Sequence, residues 1–154
     1  MRRALLGALT AAALAAGAAL AGTAAAVHSP AVYDAVLLPT PGSTVTGAAA
    51  LVDLPANDTL TIGVQGLVPG AAYSFHVHET EAPGDPCVTP PQGGHEPHEG
   101  WLNTTLVADA GGLGVGFATA PSFALHHDEE TYWVDVETAE GAVVACGVLL
   151  PRPL

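Results

Sequence analysis

Ala72-Tyr73-Ser74-Phe75-His76-Val77-His78-Glu79 alternates small or apolar residues with polar ones, the period-2 pattern of a strand with one face on a core and one toward solvent. Similar short runs, rich in Val, Leu and Thr, recur on both sides: Val32 to Leu38, Val45 to Leu54, Leu60 to Leu67, Leu102 to Ala108, Leu113 to Ala118, Tyr132 to Glu137 and Val143 to Leu149. Pro41-Gly42, Pro55-Ala56-Asn57-Asp58, Pro69-Gly70 and Ala110-Gly111-Gly112 separate them, and these are residues that favour turns. No stretch after the N-terminal segment carries a convincing helical period. About eight strands in one unit predict an all-β fold, an eight-stranded Greek-key β-barrel or sandwich of immunoglobulin-like type.

The first 26 residues are of a different kind. Met1-Arg2-Arg3 is a short positive start, Ala4 to Ala21 is a run of Ala, Leu and Gly with one Thr, and Thr23-Ala24-Ala25-Ala26 supplies small residues for cleavage. This is the pattern of a secretory signal peptide over residues 1–26, leaving one domain over 27–154. The apolar run is about 18 residues long, but Ala and Gly partition weakly into lipid and no charged stop-transfer cluster follows, so no stable span is expected after processing. The expected destination is the medium, the periplasm or the cell envelope.

Charge then excludes one class of partner. The chain has 15 Asp and Glu, no lysine, and only Arg2, Arg3 and Arg152 as cations. Residues 27–154 hold all 15 carboxylates against Arg152 alone, a formal charge of −14. Such a surface cannot neutralise a phosphate backbone, so nucleic acid is excluded as a direct partner. It attracts cations and repels small anions at low ionic strength.

The residues with metal chemistry cluster in sequence. On a strand, His76 and His78 project from one face about 7 Å apart, close enough to chelate one ion. Two incidental histidines on a solvated face would give the same pattern, but more histidines follow. The stretch Thr80 to Gly100 breaks the strand pattern with five of the 13 prolines and four of the 18 glycines, and it contains Gly93-Gly94-His95-Glu96-Pro97-His98. Long connections inside compact domains are commonly functional. A thiolate-free, imidazole-rich set suits Cu, Zn, Ni or Fe, with Cu(II) highest in the affinity order. Cys87 and Cys146, an even pair in a chain with an export signal, read as a disulfide rather than as metal ligands. His126-His127-Asp128-Glu129-Glu130 reads as a solvated acidic turn from which one imidazole could complete a metal shell, and His28 near the cleavage point as an adventitious copper binder.

Taken in order, Gly66-Leu67-Val68-Pro69-Gly70, Phe75-His76-Val77-His78-Glu79, Cys87, Gly93-Gly94-His95 and Ala145-Cys146-Gly147-Val148 resemble the copper-zinc superoxide dismutase family from about Leu60 to Leu149. The resemblance implies the eight-stranded Greek-key barrel, a Cys87–Cys146 bridge, His76 and His78 as copper ligands, and His95 as the bridging histidine and proton donor in catalysis. It implies copper as cofactor and superoxide as substrate. The zinc loop is shortened: His98-Glu99-Gly100-Trp101-Leu102 resembles the family's zinc segment with Trp101 in place of the aspartate, leaving His98 as a remaining ligand and the zinc set incomplete. Val134-Asp135-Val136-Glu137 aligns so that Val136 stands where the last copper histidine would be. Val143 stands where the anion-guiding arginine would be. These departures set two expectations side by side: an exported superoxide dismutase-like enzyme of weak activity, and a non-catalytic copper-binding or buffering protein on the same scaffold. A metal-free β-domain is the third and least favoured.

Overall fold

A computed structural model describes residues 29–80, 86–87, 102–123, 125 and 130–152. These form strands β1 (Ala31–Pro39), β2 (Thr46–Asp53), β3 (Asn57–Gln65), β4 (Ala72–Thr80), β5 (Thr104–Val107), β6 (Leu113–Pro121), β7 (Thr131–Thr138), β8 (Val143–Val148) and β9 (Leu150–Pro151), with no helix among the described residues. The strands are antiparallel in the order β5-β4-β7-β8-β1-β2-β3-β6, with the short β9 added beside β1. The two end strands of that order, β5 and β6, are consecutive in the chain and lie against each other, so the sheet curls into a nearly closed eight-stranded barrel. Two connections, β3 to β4 and β6 to β7, cross the barrel in Greek-key fashion.

Alternation decides which side chains fill the interior. From β1 come Tyr33, Ala35 and Leu37, from β3 Leu60, Ile62 and Val64, from β4 Tyr73, Phe75 and Val77, and from β7 Tyr132, Val134 and Val136, all buried in one core. Burying a Leu, Val or Phe contributes about 1.5–3 kcal/mol each, so this inward set supplies most of the driving force. The β6 strand gives way to the large ring opposite: a Cβ on Gly116 would lie 2.2 Å from Phe75 Cε1, so the strand needs glycine there for Phe75 to pack.

At one end of the barrel the carboxylates Asp53 and Asp58 are directly cross-strand and buried. Asp58 Oδ2 accepts the Phe123 N–H at 2.7 Å, which fastens the start of the β6–β7 crossing to β3. Burial, with Asp53 and Asp58 adding to it, pushes the Tyr33 phenol above its ordinary value of 10.0.

The expected strands are all present, with three differences. The β3 strand begins at Asn57 rather than Leu60, because Leu54 N–H donates to Asn57 O at 3.2 Å and closes a tighter hairpin than the Pro-Ala-Asn-Asp sequence suggests. The chain end adds β9, whose pairing with Tyr33 and Asp34 continues the sheet beyond the eighth strand. Val136, which the family resemblance sets where the last copper histidine would be, is fully buried in the core. Its neighbour Asp135 faces outward.

The expected disulfide is formed between Cys87 and Cys146, with Cα atoms 5.5 Å apart and a sequence separation of 59. It ties the β4–β5 connection to β8. Closing a loop of that length stabilises a fold by about 4 kcal/mol on the chain-entropy account. The residues assigned to the signal peptide lie outside the described residues.

Candidate metal centre

The site is built on the outer face of the β4–β7 pair. On β4, inward Phe75 and Val77 leave His76 and His78 facing out; on β7, inward Tyr132, Val134 and Val136 leave Trp133, Asp135 and Glu137 facing out on the same side. The register places His76 opposite Asp135 and His78 opposite Trp133. The imidazoles lean diagonally across the ladder: His78 Nε2 lies 3.0 Å from Asp135 Oδ2, and His76 Nε2 lies 3.8 Å from Glu137 Oε2. The two imidazole centroids are 5.9 Å apart. A β-bulge between Val136 and Glu137 in the pairing with β8 sits beside this cluster, a common device for re-aiming a side chain at a functional site.

Burial on this outer face is unusual. Asp135 is 1% exposed and Trp133 also 1%, although both point away from the core. Trp133 stacks on the His78 ring at 5.1 Å between centroids and 16° between planes, which fixes the imidazole and shields it from water. A buried carboxylate is costly unless charge and hydrogen bonds compensate it. Asp135 has one oxygen on His78, while its buried Oδ1 has no hydrogen-bond partner among the described residues. One donor atom each from His78, Asp135 and Glu137 lies within 4.8 Å of the others, and His76 stands beside them. Two imidazole nitrogens with two carboxylates make a donor set for a divalent first-row ion.

Of the residues expected at the site, His76 and His78 are brought together on one face. His95 and His98 lie outside the described residues, as do His126 and His127. Asp135, Glu137 and Trp133 were not expected as site residues. The signal for them is the β7 alternation: once Tyr132, Val134 and Val136 are taken as the core face, an aspartate flanked by valines must face out of the barrel.

No family model matches this chain, and no curated protein matches it in sequence.

Proposed function

We propose that this protein is an exported metal-binding protein that holds one divalent transition-metal ion, copper(II) foremost, on the outer face of the β4–β7 pair. The observation that carries this reading is Asp135, a carboxylate buried to 1% exposure whose Oδ2 meets His78 and whose Oδ1 has no hydrogen-bond partner among the described residues. A bound cation supplies the compensation that such a group needs. The residues that would hold it are His76, His78, Asp135 and Glu137, with His95 or His98 as further imidazoles. Mixed nitrogen and oxygen donors suit Cu(II), whereas Cu(I) prefers soft sulfur ligands, so the carboxylates favour the oxidised ion. That favours holding or buffering copper over cycling it. The Cys87–Cys146 bridge agrees with an oxidising compartment and so with the medium, periplasm or envelope as its place.

Superoxide dismutation is the second reading, favoured by the His76–His78 pair on the outer barrel face together with the bridge to β8, in the order the family resemblance implies. In that reaction one superoxide gives up an electron to become dioxygen, and a second takes that electron and two protons to become hydrogen peroxide. A redox copper ion supplies the electron relay when bound. The chain's residues would orient it, and His95 would hand over a proton. Val143 and the acidic surface offer no guide for an anion.

The test is superoxide decay by pulse radiolysis on the full chain, expressed with its own leader and purified as the cell processes it, with metal content measured on the same samples. One equivalent of tightly held copper with turnover no faster than the free-ion control is the expected result. Fast copper-dependent turnover would establish the enzyme instead, and failure to retain any divalent ion would remove both readings.

A further inference from the structure

The opposite wall of the barrel has a different character. The outward positions of β1, β2, β3 and β6 align in register into a four-stranded face: Val36 with Ala48, Gly63 and Val115, and Asp34 with Ala50, Thr61 and Phe117. Two ridges stand on it. Val36 and Leu38 on β1 are 70% and 63% exposed, and Val115 and Phe117 on β6 are 68% and 63% exposed. Between them Ala48, Ala50 and Gly63 form a low floor, and a side chain added at Gly63 would meet nothing within 4 Å.

In a chain with 15 carboxylates, Asp34 is the one ionisable group among the outward residues of these four strands, and Arg152 neutralises it through contacts of 2.6 and 2.5 Å. Exposed apolar faces of this extent mark interaction sites.

We propose that this face is a two-fold interface between copies of this chain, packed sheet on sheet. Charge selects the occupant. Two copies of so acidic a protein repel each other in most orientations, and across this wall they approach with Asp34, paired to Arg152, as the one carboxylate among the outward strand residues. Extent agrees with it: four strands at about 4.8 Å spacing and about seven residues at 3.4 Å rise span about 20 by 24 Å. Two such footprints bury about 1,000 Å² before side-chain relief is counted, the size at which specific interfaces begin. A low floor between two ridges is a self-complementary relief that lets two copies interdigitate, and Phe117 is the aromatic anchor such contacts favour. Identical patches on both partners close as a dimer rather than growing into a fibre. This inference does not depend on the metal reading.

The experiment is sedimentation equilibrium of the full chain, purified as the cell processes it, from 1 to 200 µM and at low and high salt, beside Gly63→Glu and Val115→Glu. Both positions are open to solvent in the single barrel, so far-ultraviolet circular dichroism should be unchanged. The expected result is a monomer–dimer equilibrium that tightens as salt screens the carboxylates, with the dissociation constant raised tenfold or more in each variant. A monomer across the whole range overturns the proposal, as does a dimer that both variants leave intact. A chain that stays monomeric but binds zwitterionic phosphatidylcholine vesicles through this face overturns it in favour of a lipid surface.

Discussion

The β4–β7 wall and the β1–β2–β3–β6 wall are made from strands of similar length and the same inward alternation, yet their outward residues could hardly differ more. One wall sets His78, Asp135 and Glu137 within reach of each other with His76 beside Glu137, buries the Asp135 carboxylate and stacks a tryptophan on His78. The other carries Val, Ala, Thr, Leu and Phe around a single neutralised Asp34. The barrel needs only the inward residues, so the outward ones are free to answer to something else. Where they include a buried carboxylate, its burial costs stability unless something compensates it, and the proposed cation would do so.

The difference between the walls can be broken most completely at the histidines. His76→Ala with His78→Ala should take copper from one equivalent to none while the circular dichroism spectrum of the barrel is kept, because neither imidazole belongs to the core. Undiminished copper stoichiometry in that double variant would sink the site. Asp135→Val sharpens the comparison in a different way. It makes the metal wall resemble the apolar one but leaves His78 without the carboxylate 3.0 Å from it, so in metal-free protein it should lower stability, by up to about 3 kcal/mol. The same variant should lose the added stability that copper gives the unmodified protein. Thermal unfolding with and without copper measures both effects, and a variant that copper stabilises as much as it does the unmodified protein would contradict the account.

The smallest effect lies on the apolar wall. Arg152 beside Asp34, chiefly by hydrogen bonding, holds that carboxyl below its ordinary value of 3.8. Asp34 therefore binds its proton less readily folded than unfolded. Its contribution is present above the unfolded value and fades as pH falls through the lower folded one. Because the pair is exposed, Asp34→Asn should flatten the acid limb of the stability curve only slightly. Urea midpoints between pH 2 and 6 would detect it.

Most of the barrel was legible in the sequence because core demand and strand period coincide: each of the eight runs became a strand, and Cys87 and Cys146 met. The ends of strands were less legible, since Asn57 and Asp58 look like turn residues but pair across a tight hairpin. At the site, His76 and His78 could be read from their spacing alone. Asp135 and Glu137 could not be joined to them without knowing that β7 lies beside β4 and in which register. That is a long-range fact about pairing, which no local pattern carries. The apolar wall was hidden for the same reason: its ridges come from β1 and β6, which are far apart in sequence and share a face only after β2 and β3 pair between them.

Trp133, stacked on His78, reports directly on an ion held there. The measurement is fluorescence of a Trp101→Phe variant, in which Trp133 is the remaining tryptophan, titrated with copper(II) beside the same variant carrying His78→Ala. The account predicts quenching that saturates at one equivalent and is lost with His78. Quenching that persists without His78, or copper retained at one equivalent with Trp133 emission unchanged, would contradict it.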